Sequence, residues 1–292
     1  MLRLNTLSEE IVKRYEAGER NFAGTDLRYI SIGYPCFLGT DFSTANLEYS
    51  SITRTDFINA NFSGANLRLS NLPYFLVNSN LSNTNLQESR WRGATFVNVD
   101  MTSADLTGAN LTSRKTTKLI GCNLRNANLT DIKIDESVVF ASTIMPDGII
   151  RNDPIRQITD VQQLREHINK GGNFQDIVIH NADFSGIDLR GVNMSGAYFS
   201  NVSFRDADLF RADFNRSSFI CCDFGGANFG ANLEGVKLIN IDLRGADLSS
   251  TSLYHAMCIR VNFQNTRANF LGMEVSCIET IMPDGECISM NV

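Results

Sequence analysis

An apolar residue returns at every fifth position along most of this chain, and that period constrains the fold more than any other feature. The series runs Phe22, Leu27, Ile32, Phe37, Phe42, Leu47, Ile52, Phe57, Phe62, Leu67 and Leu72, slips by one residue, and resumes from Leu76 to Leu111. After an insertion at Thr112–Lys118, a third frame runs Leu119, Leu124, Leu129, Ile134, Val139 and Ile144. The second half repeats the pattern from Phe174 to Phe229, slips once more, and continues from Leu233 to Phe263. Two places before each large residue (position i) stands a small one, most often Ala, with Asn or Asp between them, as in Ala45-Asn46-Leu47 and Ala104-Asp105-Leu106. A helix repeats every ~3.6 residues and a flat strand every ~2, so neither explains this period. Five residues with two inward positions describe a chain that turns a corner on every repeat. Four such sides make a square coil, and coils stack at about 4.8 Å, each bonding its backbone groups to the next. Large residues at i fill the interior, small ones at i−2 fit where little room is left, and the other three positions are expected to face water.

The recurring Ala-(Asp/Asn)-Leu-x-x segments, among them Ala246-Asp247-Leu248, resemble the motif of the pentapeptide-repeat family. The resemblance implies an all-β solenoid, a right-handed quadrilateral β-helix, with short capping α-helices. The chain resembles cyanobacterial members that open with a short helix and end in a Met-Pro-Asp-Gly segment, including a type that inhibits heterocyst differentiation.

Both features occur twice. Thr6-Leu7-Ser8-Glu9 reads as a capping box before a helix whose stripe is Ile11, Val12 and Tyr15, with Gly18 as its stop. Thr159-Asp160-Val161-Gln162 reads as a second box, before a stripe of Val161, Leu164 and Ile168 that Gly171-Gly172 ends. Thr143-Ile144-Met145-Pro146-Asp147-Gly148 recurs as Thr280-Ile281-Met282-Pro283-Asp284-Gly285. Two units follow, 1–150 and 151–292, each a capping helix followed by repeats. An amphipathic helix over an open solenoid end hides apolar side chains and unpaired backbone that would invite aggregation.

Little in the chain points to chemistry. His167, His180 and His255 have no metal-ligand spacing, and the seven cysteines form neither C-x-x-C nor a regular framework. Asp is frequent because position i−1 calls for it, so paired carboxylates are no sign of acid–base catalysis. Neither Gly171-Gly172 nor Gly225-Gly226 has the surroundings of a phosphate loop. No catalytic, cofactor-binding or metal-binding residue is assigned, and no cofactor is expected. A net charge of −6 argues against an electrostatic grip on nucleic acid. No apolar run is long enough to span a membrane, and the N-terminus carries no signal-peptide core, so a cytoplasmic protein is expected.

The expected function is therefore a non-enzymatic interaction module or scaffold acting on a protein partner whose identity the sequence does not give. The resemblance implies an alternative, a DNA mimic that modulates a type II topoisomerase (gyrase). Charge separates the two readings. Residues 1–150 carry 14 Lys and Arg against 15 Asp and Glu, and residues 151–292 carry 12 against 17, which is too little acid for a duplex mimic. Whether the two columns are collinear, bent, independent or paired in a homodimer stays open. Positions twenty apart fall in one column, which gives three candidate partner-binding columns: Arg28, Glu48 and Arg68; Tyr29, Tyr49 and Leu69; and Tyr34, Arg54 and Tyr74. Exposed aromatics flanked by Arg have the composition of a binding hot spot. Stacked tyrosines could equally shield the ladder beneath them, and surface ion pairs are worth only about 0–1 kcal/mol each.

Overall fold

The computed structural model describes residues 2–33, 36–53, 55–153, 161–169, 174–268, 270 and 274–291. The fold is a β-solenoid in two compact units, residues 1–153 and 154–292. The first unit contains α1 (Leu2–Glu16), then β1 (Cys36–Leu38), β2 (Asp56–Ile58), β3 (Phe75–Val77), β4 (Thr95–Val97), β5 (Thr117–Ile120) and β6 (Val138–Ala141), and ends in the hairpin β7 (Thr143–Ile144) and β8 (Ile150–Arg151). The second contains α2 (Val161–Asn169), then β9 (Val178–His180), β10 (Tyr198–Ser200), β11 (Ser218–Ile220), β12 (Lys237–Ile239) and β13 (Met257–Ile259), and ends in β14 (Ser276–Ile281) and β15 (Cys287–Asn291).

One strand comes from each coil, and strands of successive coils pair in parallel: β1 to β6 form one sheet and β9 to β15 another, with only β15 antiparallel. The other three sides are held by single bridges. Asn21 pairs with Asp41, Asp26 with Asn46, Ser31 with Ser51 and Phe37 with Phe57, so each coil has four sides and repeats after twenty residues. The ladder alternates direction: Phe42 N–H donates to the Asn61 carbonyl and Asp41 N–H to the Arg20 carbonyl, both at 2.7 Å. The sequence slips are real in space, since Phe57 lies opposite Leu76 and Asp213 opposite Asn232. The insertion adds three residues to one coil, placing Phe96 opposite Leu119.

The interior follows the inward phase. Phe22, Phe37, Phe42, Phe57 and Phe62 are fully buried, with Ala45, Ala60 and Ala65 filling the i−2 places. Rings of successive coils stack, Phe37 on Phe57 at 5.4 Å and Phe42 on Phe62 at 5.2 Å, while rings on adjacent sides meet edge to face. Each fully buried ring contributes about 1.5–3 kcal/mol relative to exposure.

Three expectations need correction. In the last coil of the first unit the inward residue is Phe140, not Val139: Leu119 lies opposite Phe140, and on the next side Asn123 bridges Ile144, which puts Met145, not Ile144, at the inward place. An extra residue after Ile134 shifts the frame, and the run Val138-Val139-Phe140 offers three apolar choices that periodicity alone does not rank. Second, position i+1 on the strand side is buried, not solvated. Leu38, Ile58, Val77, Val97 and Ile120 are at most 2% exposed, because side chains of neighbouring strands cover one another there. Third, α1 is already helical at Leu2, so Thr6 is not its N-cap. Ser or Thr followed by Glu three residues later also occurs inside helices, and Leu7, Ile11 and Tyr15 extend the stripe across that point. Thr159, Asp160 and Gly171-Gly172 lie outside the described residues.

The helices close each core. Ile11 and Tyr15 are buried on the first coil, and Tyr15 meets Phe37 edge to face at 4.6 Å. Hydroxyls satisfy backbone that has no coil above it: Ser31 N–H donates to Ser8 Oγ at 3.2 Å and Leu38 N–H to Tyr15 Oη at 3.0 Å. Leu164 and Ile168 of α2 pack on the second core. At the other end, the two Met-Pro-Asp-Gly segments make the same turn. Gly148 N–H donates to the Met145 carbonyl and Gly285 N–H to that of Met282, with both glycines at positive φ, and the chain reverses into an antiparallel strand. Parallel stacking cannot continue past that reversal.

Candidate functional site

Most of the described five-residue sides turn through a left-handed residue at i+2. Gly24, Gly64, Gly186 and Gly226 hold that place, as do Asn59, Asn78, Asn83 and Asn201, and all have φ between 48° and 71°. Glycine meets no steric penalty there, and Asn tolerates the conformation because its short amide bonds locally. Among the described residues with positive φ, the large apolar side chains are Tyr29, Tyr49 and Leu69, at φ 60°, 57° and 56°. They stand in one column on successive coils: Asp26 bridges Asn46, which bridges Asn66. The two phenol rings stack in parallel at 5.1 Å, 6° apart in plane, and are 54% and 45% exposed. The repeat spacing holds them in this geometry, because neighbouring coils are about 4.8 Å apart.

The charged column beside them is wired differently from the expectation. Arg28 does not pair with Glu48; it folds back on Asp26 at 2.6 Å, two residues away on its own coil. That bond raises the Arg28 pKa and lowers that of Asp26. Arg68 instead bridges two coils, reaching Glu48 at 3.2 Å and Glu88 at 2.7 Å, and its pKa rises through these bonds, Glu88 first. A flat aromatic and aliphatic wall is thus edged by paired charges. Tyr74 is exposed but stands apart, in the corner that the register slip shortens between Asn71 and Phe75. Tyr34 and Arg54 lie outside the described residues. The backbone role of i+2 was missed by periodicity, although the recurrence of Gly and Asn there is a readable signal.

Among the described residues, no group of three or more His, Cys, Asp or Glu side chains is placed to hold a metal ion. No described helix is long and apolar enough to cross a membrane.

The chain is similar to solved structures of several repeat proteins. One is HetL, a pentapeptide repeat protein involved in heterocyst differentiation regulation from the cyanobacterium Nostoc sp. strain PCC 7120, at 24% identity over 96% of this chain and 98% of that one, TM-score 0.35. Another is QnrB1, a plasmid-mediated fluoroquinolone resistance protein, at 16% identity over 76% and 92%, TM-score 0.25. A third is Rfr23 from the cyanobacterium Cyanothece 51142, at 24% identity over 44% and 96%, TM-score 0.21. At these identities and TM-scores the likenesses carry no functional information. No curated protein matches the chain. The sequence profile for pentapeptide repeats, however, matches in eight copies over residues 36–72, 76–112, 173–211, 197–230 and 231–267, more than half the chain, and the protein belongs to the pentapeptide-repeat family.

Proposed function

We propose that this protein is a non-enzymatic interaction module that docks a protein partner on the wall formed by Tyr29, Tyr49 and Leu69, edged by Arg28, Glu48 and Arg68. One observation carries the reading. Three large apolar side chains occupy a left-handed turn position at which the same chain elsewhere uses glycine, asparagine and other small or polar residues. Any side chain with a Cβ costs about 1–2 kcal/mol in that conformation, and Tyr and Leu, unlike Asn or Asp, offer no short polar group to bond locally in return. Half-exposed stacked tyrosines are the side chains that make strong contact area in interfaces at low entropic cost. The paired charges give the rim a fixed register.

The experiment is capture of binding proteins on the immobilised full-length chain from its native cell, run in parallel with Tyr29→Asn/Tyr49→Asn. A protein retained by the wild type and lost on the variant is the expected result. A set of retained proteins that the substitution leaves unchanged overturns the assignment.

A further inference from the structure

Away from the tyrosine wall, the side of the first unit that follows Leu72, Trp91, Leu111 and Ile134 breaks the repeat in a different way. Position i−1 most often holds Asn or Asp, whose Oδ1 accepts the N–H two residues on, as Asn80 does for Ser82 at 2.8 Å and Asp100 for Thr102 at 3.0 Å. On this side Asn71 and Asn110 alternate with Arg90 and Lys133, and the two cations have no acceptor to offer. Arg92 follows with φ 41°, directly before Gly93 at 78°. The three-residue insertion then adds Arg114 and Lys115. A Cβ built on Gly93 would come within 2.6 Å of Lys115 Cβ, so the glycine lets the inserted loop lie against the coil below. All five cations are exposed.

Four other arginines of this unit are neutralised, Arg14 by Glu19, Arg28 by Asp26, Arg68 by Glu48 and Glu88, and Arg151 by Asp153, while Arg20 bonds the backbone carbonyls of Tyr15 and Glu19. Among the described residues, no carboxylate pairs with Arg90, Arg92, Arg114, Lys115 or Lys133. In a chain of net charge −6, five exposed cations without a carboxylate partner on one side make a local cationic face. Tyr74, 46% exposed, lies one coil below, its carbonyl accepting the Thr95 amide at 2.8 Å.

We propose that this face binds an acidic, extended segment of a partner protein. Arg90 and Lys133 are two coils apart, about 10 Å, while carboxylates on one face of an extended chain recur about every 7 Å. Two or three acidic side chains therefore span the patch. A nucleic acid fits less well. Asp135 and Glu136, exposed on the coil that carries Lys133, close the patch at one end and would repel a phosphate backbone running past it. A short segment can end at Lys133, on that same coil, without running on past them.

The test uses the full-length chain and a fluorescein-labelled twelve-residue peptide of alternating Glu and Ser, read by fluorescence polarisation. Saturable binding is expected, weakened about tenfold or more by Arg92→Glu/Lys115→Glu and at least severalfold by Arg114→Gln/Lys115→Gln, with circular dichroism unchanged. Binding should also weaken from low to physiological salt, as the screening length falls from about 30 Å to about 8 Å. Arg190→Glu in the second unit and Tyr29→Asn/Tyr49→Asn should both leave it unchanged, which separates this face from the tyrosine wall. No saturable binding, equal binding by the charge-reversed chain, or tighter binding of a single-stranded oligonucleotide of equal charge would each overturn the proposal.

Discussion

Replacing both stacked tyrosines tests whether the wall exists for the fold or for a partner. Asn and Ala variants at Tyr29 and Tyr49 remove the same rings and the same stack, worth about 0.5–1.5 kcal/mol. They differ in the backbone. Asn is at ease near φ 60°, whereas Ala carries the usual Cβ penalty of about 1–2 kcal/mol per residue. With φ at 60° and 57°, the Asn double variant should regain about 1 kcal/mol per position relative to tyrosine, offsetting the lost stack. Its net change is then within about 1 kcal/mol of zero, and the Ala double variant should be less stable than it by about 2 kcal/mol, one for each position. Urea unfolding followed by tryptophan fluorescence reads the correct unit, because the single tryptophan, Trp91, is fully buried in the first core. Two outcomes refute the reasoning. If the Asn variant loses more than about 2 kcal/mol, the rings hold the coils together and the wall is structural. If the Asn and Ala variants are equally stable, the left-handed turn imposes no strain and the argument from it fails.

In the same assay Phe57→Ala should cost about 3–5 kcal/mol, since the ring is enclosed by Phe37, Phe42 and Phe62. Ser63→Ala, on the outer surface, should stay within about 0.5 kcal/mol, while Asn59→Ala should cost about 1 kcal/mol because Asn59 sits at φ 53°. The hydrogen bond from Arg190 holds the Asp188 carboxyl down to about 2. A depressed carboxylate favours folding above its unfolded pKa near 4, and that contribution fades as pH falls towards about 2. Arg190→Gln should bring the carboxyl resonance of Asp188 back towards an ordinary midpoint in an NMR titration, and an unchanged midpoint would show that the backbone amide does the holding. Burial pushes the Cys122 and Cys222 thiols up to about 12, so iodoacetamide at neutral pH should label exposed Cys287 and spare both until urea unfolds the chain. Mass spectrometry showing early labelling of Cys122 would mean that its coil opens in the native state.

Most of the architecture is legible because one number, the five-residue period, fixes three things together: which residues go inward, how coils stack and where the register slips. Phe57 opposite Leu76 and the three extra residues before Leu119 follow from counting alone. Counting fails where several phases are equally apolar, as at Val138-Val139-Phe140. It also fails where the partner is local. Arg28 chooses Asp26, two residues away, over Glu48 one coil down, because a side chain that bonds within its own turn orders fewer groups than one that spans coils. Period says nothing about dihedral angles, so the strain at Tyr29, Tyr49 and Leu69 emerges only with the backbone.

In a solenoid of this kind each repeat makes the same demands at the same places: a large residue at i, a small one at i−2, an acceptor at i−1 and a left-handed residue at i+2. A residue that meets its demand is explained by the fold and needs no further function. Tyr29, Tyr49 and Leu69 adopt the left-handed conformation at i+2 with large apolar side chains, on three consecutive coils and in one column; Arg90 and Lys133 bring no acceptor to i−1 on another side. The i−1 departures are scattered, since Arg267 in the second unit also takes that place, whereas the large apolar residues at i+2 are confined, among the described residues, to one column. The proposed docking wall rests on that confinement: side chains about 4.8 Å apart on successive coils offer a macromolecule a face several coils tall. The sequence of the repeat thus specifies the column, and the aligned apolar residues at i+2 are the departure from it that the proposed partner would read.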